Sequence, residues 1–284
     1  RVRGGKGREC VRSLRRLSTG ATAAATQEVS MNARKTVIVT GAGTGIGKAT
    51  ALRFARDGYD VVLNGRRPEA LAEVAAEIGT AAAVVAPGDV GKRQDCGQIV
   101  AAALGRFGRI DVLVNNAGVV HAGIGEMLND TNFDAMMATN VGGVRNMVLA
   151  ALPALRRSRG NVVNVTSVSG MRGDWGMYGY NASKGAVSLM TQGLALDLGK
   201  EGIRVNAVAP AAANTRLAAA LGHAPRVGTA LRRRIPLGRI AEPDEVASVI
   251  AFLAGPDAGF VNGVILPVDG GLSASNGQPD FTDW

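Results

Sequence analysis

The stretch Lys35-Thr36-Val37-Ile38-Val39-Thr40-Gly41-Ala42-Gly43-Thr44-Gly45-Ile46-Gly47 decides the fold. Its first half is a short β-branched run, which reads as a strand covered on both faces. Its second half is a turn of the form T-G-x-x-x-G-x-G, and a helical pattern follows over 45–57. Glycines let the backbone turn tightly and approach a phosphate, while the helix N-terminus adds unpaired N–H groups and a positive dipole end. The spacing is not G-x-G-x-x-G, because the last glycine of that pattern falls on Ile46 or Lys48. Alone, such a turn is compatible with mere tight packing. Its place between a strand and a helix points to a nucleotide.

The same alternation runs outward along the chain. Strands are predicted at 35–40, 60–64, 82–86, 110–114, 161–166, 203–209 and 262–267, all as continuous apolar runs. Helical patterns lie near 45–57, 68–78, 92–107, 132–157, 179–199 and 242–254, with Pro68 and Pro243 near helix starts. This order implies a doubly wound α/β domain: a parallel seven-stranded sheet of Rossmann type, flanked by helices on both faces. Right-handed crossovers put the ligand crevice at the carboxyl ends of the strands. No repeat or linker divides residues 31–284, so one domain is expected.

Composition agrees with a folded globule: 46% of residues are hydrophobic and 19% charged, with aromatics at only 4%. The formal charge of +9 suggests nucleic acid until it is located. Residues 1–30 carry seven basic and two acidic side chains, so more than half of the excess sits there. The modest remainder suits anionic cofactors and does not call for nucleic acid. Segment 1–30 is Arg-rich and acid-poor, with Val11, Leu14 and Leu17 at helical spacing, as in organellar transit peptides. The alternative, preferred here, is a non-native or disordered leader with native translation starting at Met31. Two cysteines, Cys10 and Cys96, make no disulfide framework, and no metal-ligand motif is seen. No apolar run is long enough to span a bilayer. A cytoplasmic protein without membrane contact is expected, or one of an organellar matrix if the leader is a transit peptide.

Further motifs identify the chain as similar to the short-chain dehydrogenase/reductase family. T-G-x-x-x-G-x-G is that family's nucleotide turn, Asn115-Asn116-Ala117-Gly118 after the fourth strand matches its N-N-A-G motif, and Gly88-Asp89-Val90 follows the third strand. There the resemblance implies that Asp89 hydrogen-bonds the adenine amino group. At the end of the second strand an NAD enzyme usually carries an acid for the ribose 2′-hydroxyl. This chain reads Asn64-Gly65-Arg66-Arg67 instead. A carboxylate repels a 2′-phosphate and an arginine fork pairs with it, so NADP(H) is favoured over NAD(H).

The reacting centre is read at Tyr180-Asn181-Ala182-Ser183-Lys184, with Ser167 upstream. Tyr180 and Lys184 are i and i+4, on one helix face. Carbonyl reduction needs a proton at oxygen, and a free tyrosine with pKa about 10 exchanges protons poorly near neutrality. An ammonium about 4.5 Å away, at an effective dielectric of about 20, favours phenolate by roughly 3–4 kcal/mol. That is about two to three pKa units before desolvation opposes it. The resemblance implies Tyr180 as acid/base, Lys184 as its tuner and a ligand of the nicotinamide ribose, Ser167 on the substrate oxygen, and Asn140 holding a water in the proton relay. It assigns to the cofactor Gly41, Thr44, Gly45, Ile46, Gly47, Arg66, Asp89, Val90, Asn116, Ala117, Gly118, Tyr180, Lys184, Pro210 and Thr215. Tyr178 lacks a lysine four residues on, and His121 reads as a surface residue.

One departure stands out. The family usually has Pro-Gly-x-x-x-Thr after the sixth strand, whereas this chain has Pro210-Ala211-Ala212-Ala213-Asn214-Thr215. If the glycine takes positive φ, Ala211 strains the turn. Residues 214–235 are expected to form a substrate lid, with Leu217, Leu221 and Val227 beside Arg226, Arg232, Arg233 and Arg234. Met171, Trp175 and Met177 are expected to give apolar walls. The expected activity is oxidoreduction of a small, partly apolar carbonyl or secondary alcohol. The alternatives are a 3-oxoacyl-acyl-carrier-protein reductase and a non-catalytic nucleotide sensor on the same fold. By family analogy the chain forms a homotetramer.

Overall fold

In the computed structural model, residues 34–215 and 225–278 are described. The leader at 1–30, Leu217 and Leu221 therefore lie outside the described residues, as do the side chains of Arg226 and Val227.

The predicted strands form one sheet. They are β1 (Thr36–Val39), β2 (Asp60–Gly65), β3 (Ala83–Pro87), β4 (Val112–Asn115), β5 (Asn161–Val165), β6 (Arg204–Pro210) and β7 (Ile265–Val268). All neighbours pair in parallel, in the order β3-β2-β1-β4-β5-β6-β7. The intervening helices are α1 (Gly45–Arg56), α2 (Pro68–Ile78), α3 (Arg93–Phe107), α4 (Asp130–Met136), α5 (Gly143–Ser158), α6 (Tyr178–Gly199), α7 (Pro225–Arg234) and α8 (Pro243–Ala254).

The continuous apolar runs have the expected cause. Successive side chains alternate across a strand, and both faces of this sheet are covered. Ile38, Val62, Leu113 and Val162 face a core closed by Ile99 of α3, Met147 and Leu155 of α5 and Val187 of α6. Their neighbours Val37, Val61, Val114 and Val163 face the opposite core, closed by Phe54 of α1, Leu71 of α2 and Ile250 of α8.

The strand order reverses between β1 and β4. At such a point two crossovers leave in opposite directions, and a crevice opens beyond the carboxyl ends of the two strands. The glycine turn and Asn116-Ala117-Gly118 both follow strands at this crevice.

Two elements differ from expectation. The helix predicted at 132–157 is α4 and α5 joined by a π-helical turn, Met137–Gly142, that contains Asn140. A π turn inserts a residue without changing composition, so periodicity does not disclose it. The expected lid contains a regular helix, α7. No helix among the described residues is long and apolar enough to cross a membrane.

Candidate active site

The two turns at the crevice are laced together. Thr40 Oγ1 accepts the backbone N–H groups of Asn116 at 2.9 Å and Ala117 at 3.0 Å. Asn116 Nδ2 donates back to the carbonyls of Thr40 at 2.8 Å and Gly41 at 3.3 Å. Helix α1 packs so closely on this lattice that a Cβ at Gly47 would lie 2.1 Å from the Gly41 oxygen. Gly45 has φ of +56°, and a Cβ there would meet Thr215 Cγ2 at 2.9 Å. Thr215, beyond β6, is thereby brought against the glycine turn. Thr44 caps α1 in extended backbone without a side-chain hydrogen bond to the first turn, and Ile46 is half-buried. The first N–H groups of α1 are left for a ligand, and a backbone cradle that a side chain would fill suits a dinucleotide pyrophosphate.

The other expected cofactor positions line the same edge. Asp89 Oδ1 accepts from the Gly91 N–H at 2.9 Å, which shapes the turn after β3. Val90 is buried against Gly143, and its carbonyl accepts from Asn146 Nδ2 at 3.1 Å. Arg66 and Arg67, past the end of β2, are exposed. The Ala211 strain is not found. Among the described residues Arg159 alone of the non-glycines has positive φ, and the Ala211 N–H pairs with the Val268 carbonyl at 3.2 Å.

Tyr180 and Lys184 sit in the first two turns of α6, and Ser167 follows β5. Ser167 Oγ accepts the Ser169 N–H at 3.1 Å and donates to the Pro210 carbonyl at 3.4 Å, and it lies close enough to the Tyr180 hydroxyl to favour its phenolate. Lys184 Nζ donates to the Val165 carbonyl at 2.8 Å. The carbonyl of Lys184 accepts from Thr166 Oγ1 at 2.9 Å, fixing α6 to the end of β5. Asn140 is buried, and its carboxamide accepts the Val119 N–H at 2.8 Å while donating to the Val119 carbonyl at 2.9 Å and Ser183 Oγ at 3.0 Å. A Cβ at Gly118 would lie 3.3 Å from Asn140 Oδ1 and 3.5 Å from Lys184 Nζ. The turn after β4 therefore meets Asn140 and Lys184 directly.

Electrostatics depart from the sequence expectation. Burial pushes the Tyr180 phenol up to about 12, with the Ser167 hydrogen bond opposing and the Asp174 charge reinforcing. Lys184 does not bring it down. The ammonium points to Val165, and its own burial lowers it to about 8. Desolvation wins over the attraction that the i, i+4 spacing suggests.

Sequence reasoning passed over Ser169 and Asp174. Ser169 is buried and donates its hydroxyl to Asp174 Oδ2. Nothing in the local pattern marks either residue. Trp175 stands wholly exposed, while Met171 and Met177 are half-buried.

These features can be compared with known proteins. The family model described as Enoyl-(Acyl carrier protein) reductase matches residues 41–273. Meso-2,3-butanediol dehydrogenase of Serratia marcescens is 42% identical over 245 residues, covering 86% of this chain and 97% of that protein. The chain belongs to the short-chain dehydrogenase/reductase family. A 3-oxoacyl-[acyl-carrier-protein] reductase of Thermotoga maritima is 39% identical, covering 84% of this chain and 97% of that one. The crystal structure of a 3-ketoacyl-(acyl-carrier-protein) reductase from Brucella melitensis complexed with NADH superposes with a TM-score of 0.80 at 37% identity, covering 85% and 99%. As a member of the short-chain dehydrogenase/reductase family, the chain is an oxidoreductase of the alcohol/ketone type. The relatives' names span a small diol and carrier-bound acyl groups, so membership alone does not select a substrate.

Proposed function

We propose that this chain interconverts a ketone or aldehyde and the matching alcohol, with NADP(H) preferred and Tyr180 as proton donor and acceptor. The observation that carries the reading is the approach of Gly118 to both Asn140 and Lys184, which joins the crevice to buried Ser167 and Lys184 and half-buried Tyr180. A nicotinamide dinucleotide supplies or takes the hydride when bound. Gly41, Thr44, Gly45, Ile46 and Gly47 would hold its pyrophosphate end, Asp89 and Val90 its adenine end, and Asn116, Ala117, Gly118, Pro210 and Thr215 the remainder.

The chain's own residues handle the proton. A phenol held at about 12 is protonated at neutral pH and can give its proton to a developing alkoxide. Ser167 Oγ, beside that phenol, orients the substrate oxygen. Lys184, at about 8, carries its charge at pH 7; it donates to the Val165 carbonyl rather than lowering the phenol, and would serve chiefly to hold the nicotinamide ribose. The Asn140 carboxamide is committed to Val119 and Ser183, so it fixes the β4 turn against α6; any water it holds in a relay would need another of its atoms.

The NADP(H) preference rests on Arg66, exposed at the end of a second strand that lacks an acid. Homotetramer formation is supported by Leu149 of α5 with Leu189 and Leu196 of α6, and by Phe252 and Phe260, all exposed apolar side chains. A carrier-protein substrate is the second reading, favoured by exposed Arg232, Arg233 and Arg234 on α7. The test is cofactor absorbance at 340 nm with NADPH and NADH across ketones, diketones and 3-oxoacyl thioesters. NADPH-dependent reduction of free ketones is expected. Turnover of carrier thioesters alone would favour the second reading.

A further inference from the structure

The loop between Ser167 and Tyr180 carries a charge that the proton chemistry does not use. Asp174 Oδ2 accepts from the Ser169 hydroxyl, the Ser169 N–H donates to Ser167 Oγ at 3.1 Å, and Ser167 acts on the Tyr180 phenol. Two hydrogen bonds thus link Ser167, the neighbour of the proton donor, to a carboxylate. The Asp174 charge is also felt at the phenol, which it pushes further up. No cation among the described residues forms an ion pair with it, and nearby Arg172 turns to the Met171 carbonyl at 3.2 Å. The other oxygen, Oδ1, accepts no hydrogen bond from the described residues.

The surroundings make this carboxylate conspicuous. Ile124 and Met127 on one loop, Trp175 on the loop that carries Asp174, and Tyr178 at the start of α6 are exposed apolar side chains. The Gly123 N–H donates to the Gly176 carbonyl at 2.9 Å and ties those loops together. Asp174 is exposed, so water solvates its charge in the open site; once a substrate displaces that water, the carboxylate opposes phenolate formation unless the substrate compensates it. A substrate hydroxyl next to the reacting carbon would do so by donating to the carboxylate, a charge-assisted bond. A substrate carboxylate at that place would meet like charge.

We propose that Asp174 is a specificity-determining residue that selects substrates with a hydroxyl on the carbon adjacent to the reacting one, vicinal diols and α-hydroxyketones, and disfavours substrates carrying a carboxylate there. The proposal rests on the reading of Tyr180 as the proton donor of an alcohol/ketone oxidoreductase. Losing one charge-assisted hydrogen bond to a substrate corresponds to roughly 10- to 100-fold in kcat/KM.

The experiment compares the full chain with D174N and D174A, measuring kcat/KM for meso-2,3-butanediol, 2-butanol and 3-hydroxybutyrate. The wild type is expected to favour the diol at least tenfold over 2-butanol. D174A is expected to lower that ratio by about 10- to 100-fold and to raise 3-hydroxybutyrate relative to 2-butanol. D174N keeps an acceptor for Ser169 and for a substrate hydroxyl, and should retain more of the diol preference than D174A. In both variants the Tyr180 phenol should titrate at lower pH, read by ultraviolet difference absorption with Tyr180→Phe as the blank. Equal losses on all three alcohols, an unchanged ratio, or a wild type indifferent to the second hydroxyl would overturn the proposal. So would a wild type that ignores all three alcohols yet reduces another ketone. A wild type that turns over no carbonyl or alcohol with either cofactor would overturn the oxidoreductase reading beneath it.

Discussion

The Lys184 ammonium lies 5.8 Å from the centre of the Tyr180 ring and spends a hydrogen bond on the Val165 carbonyl at 2.8 Å. The two side chains share a helix face, as their spacing requires, but burial governs each of them. The phenol rises to about 12 and the ammonium falls to about 8. Both are protonated at neutral pH, the state that reduction of a carbonyl needs.

Lys184 therefore carries a stability cost with a definite pH signature. Its folded value lies below the ordinary lysine value, so the unfolded chain binds more protons between about pH 8 and 10.5. Wild-type stability should rise through that window. Lys184→Met lacks the term, so its stability relative to wild type should fall by about 3 kcal/mol from pH 7 to 10.5. Denaturant unfolding at several pH values reads this slope. Turnover of the variant should drop at least 100-fold.

The rate should report the same group. Carbonyl reduction is expected to be flat from pH 6 to 7.5 and to decline above about 8, as Lys184 loses its proton. Tyr180, at about 12, should not titrate in this range. A pH profile of kcat/KM with a single limb near 10 would assign the limb to another group.

At the glycine turn the close contact makes a sharp forecast. Gly47→Ala places a Cβ 2.1 Å from the Gly41 oxygen and 2.5 Å from Asn116 Nδ2, so the phosphate cradle must open. Thermal unfolding should show a loss of about 1–3 kcal/mol, and fluorescence titration should show NADPH affinity reduced at least 100-fold. Gly105→Ala on α3, where a Cβ meets nothing, should instead stabilise by about 0.4–1 kcal/mol.

Cofactor choice has its own test at β2. Arg66→Ser should weaken NADPH binding about tenfold or more through loss of a charge-assisted contact, and change NADH binding less than twofold. Titration of both nucleotides decides it, since equal weakening would remove Arg66 from 2′-phosphate recognition.

Most of the fold was legible because each strand is buried on both faces and so appears as an uninterrupted apolar run; β1 and β2 fall within a residue of their predicted ends. Helices α2 and α8 were bounded by Pro68 and Pro243, whose fixed φ marks a first turn. The π turn at Asn140 was not legible, since it is a change of hydrogen-bond register within one helical composition. The site motifs identified which residues gather, as at Thr40, Asn116 and Ala117. They did not disclose the electrostatics. Whether Lys184 lowers Tyr180 depends on where Nζ points and how much water each group loses, and both are tertiary properties. Asp174 was silent for a related reason: its bond to Ser169 exists only once the loop has folded.

The most direct test of the central claim is single-turnover carbonyl reduction by Tyr180→Phe, with NADPH binding measured in parallel. Removal of the hydroxyl alone should leave nucleotide affinity within a few-fold of wild type and cut the rate by about 100- to 10,000-fold. A variant that binds NADPH and reduces the carbonyl at the wild-type rate would contradict the assignment of Tyr180 as the proton donor.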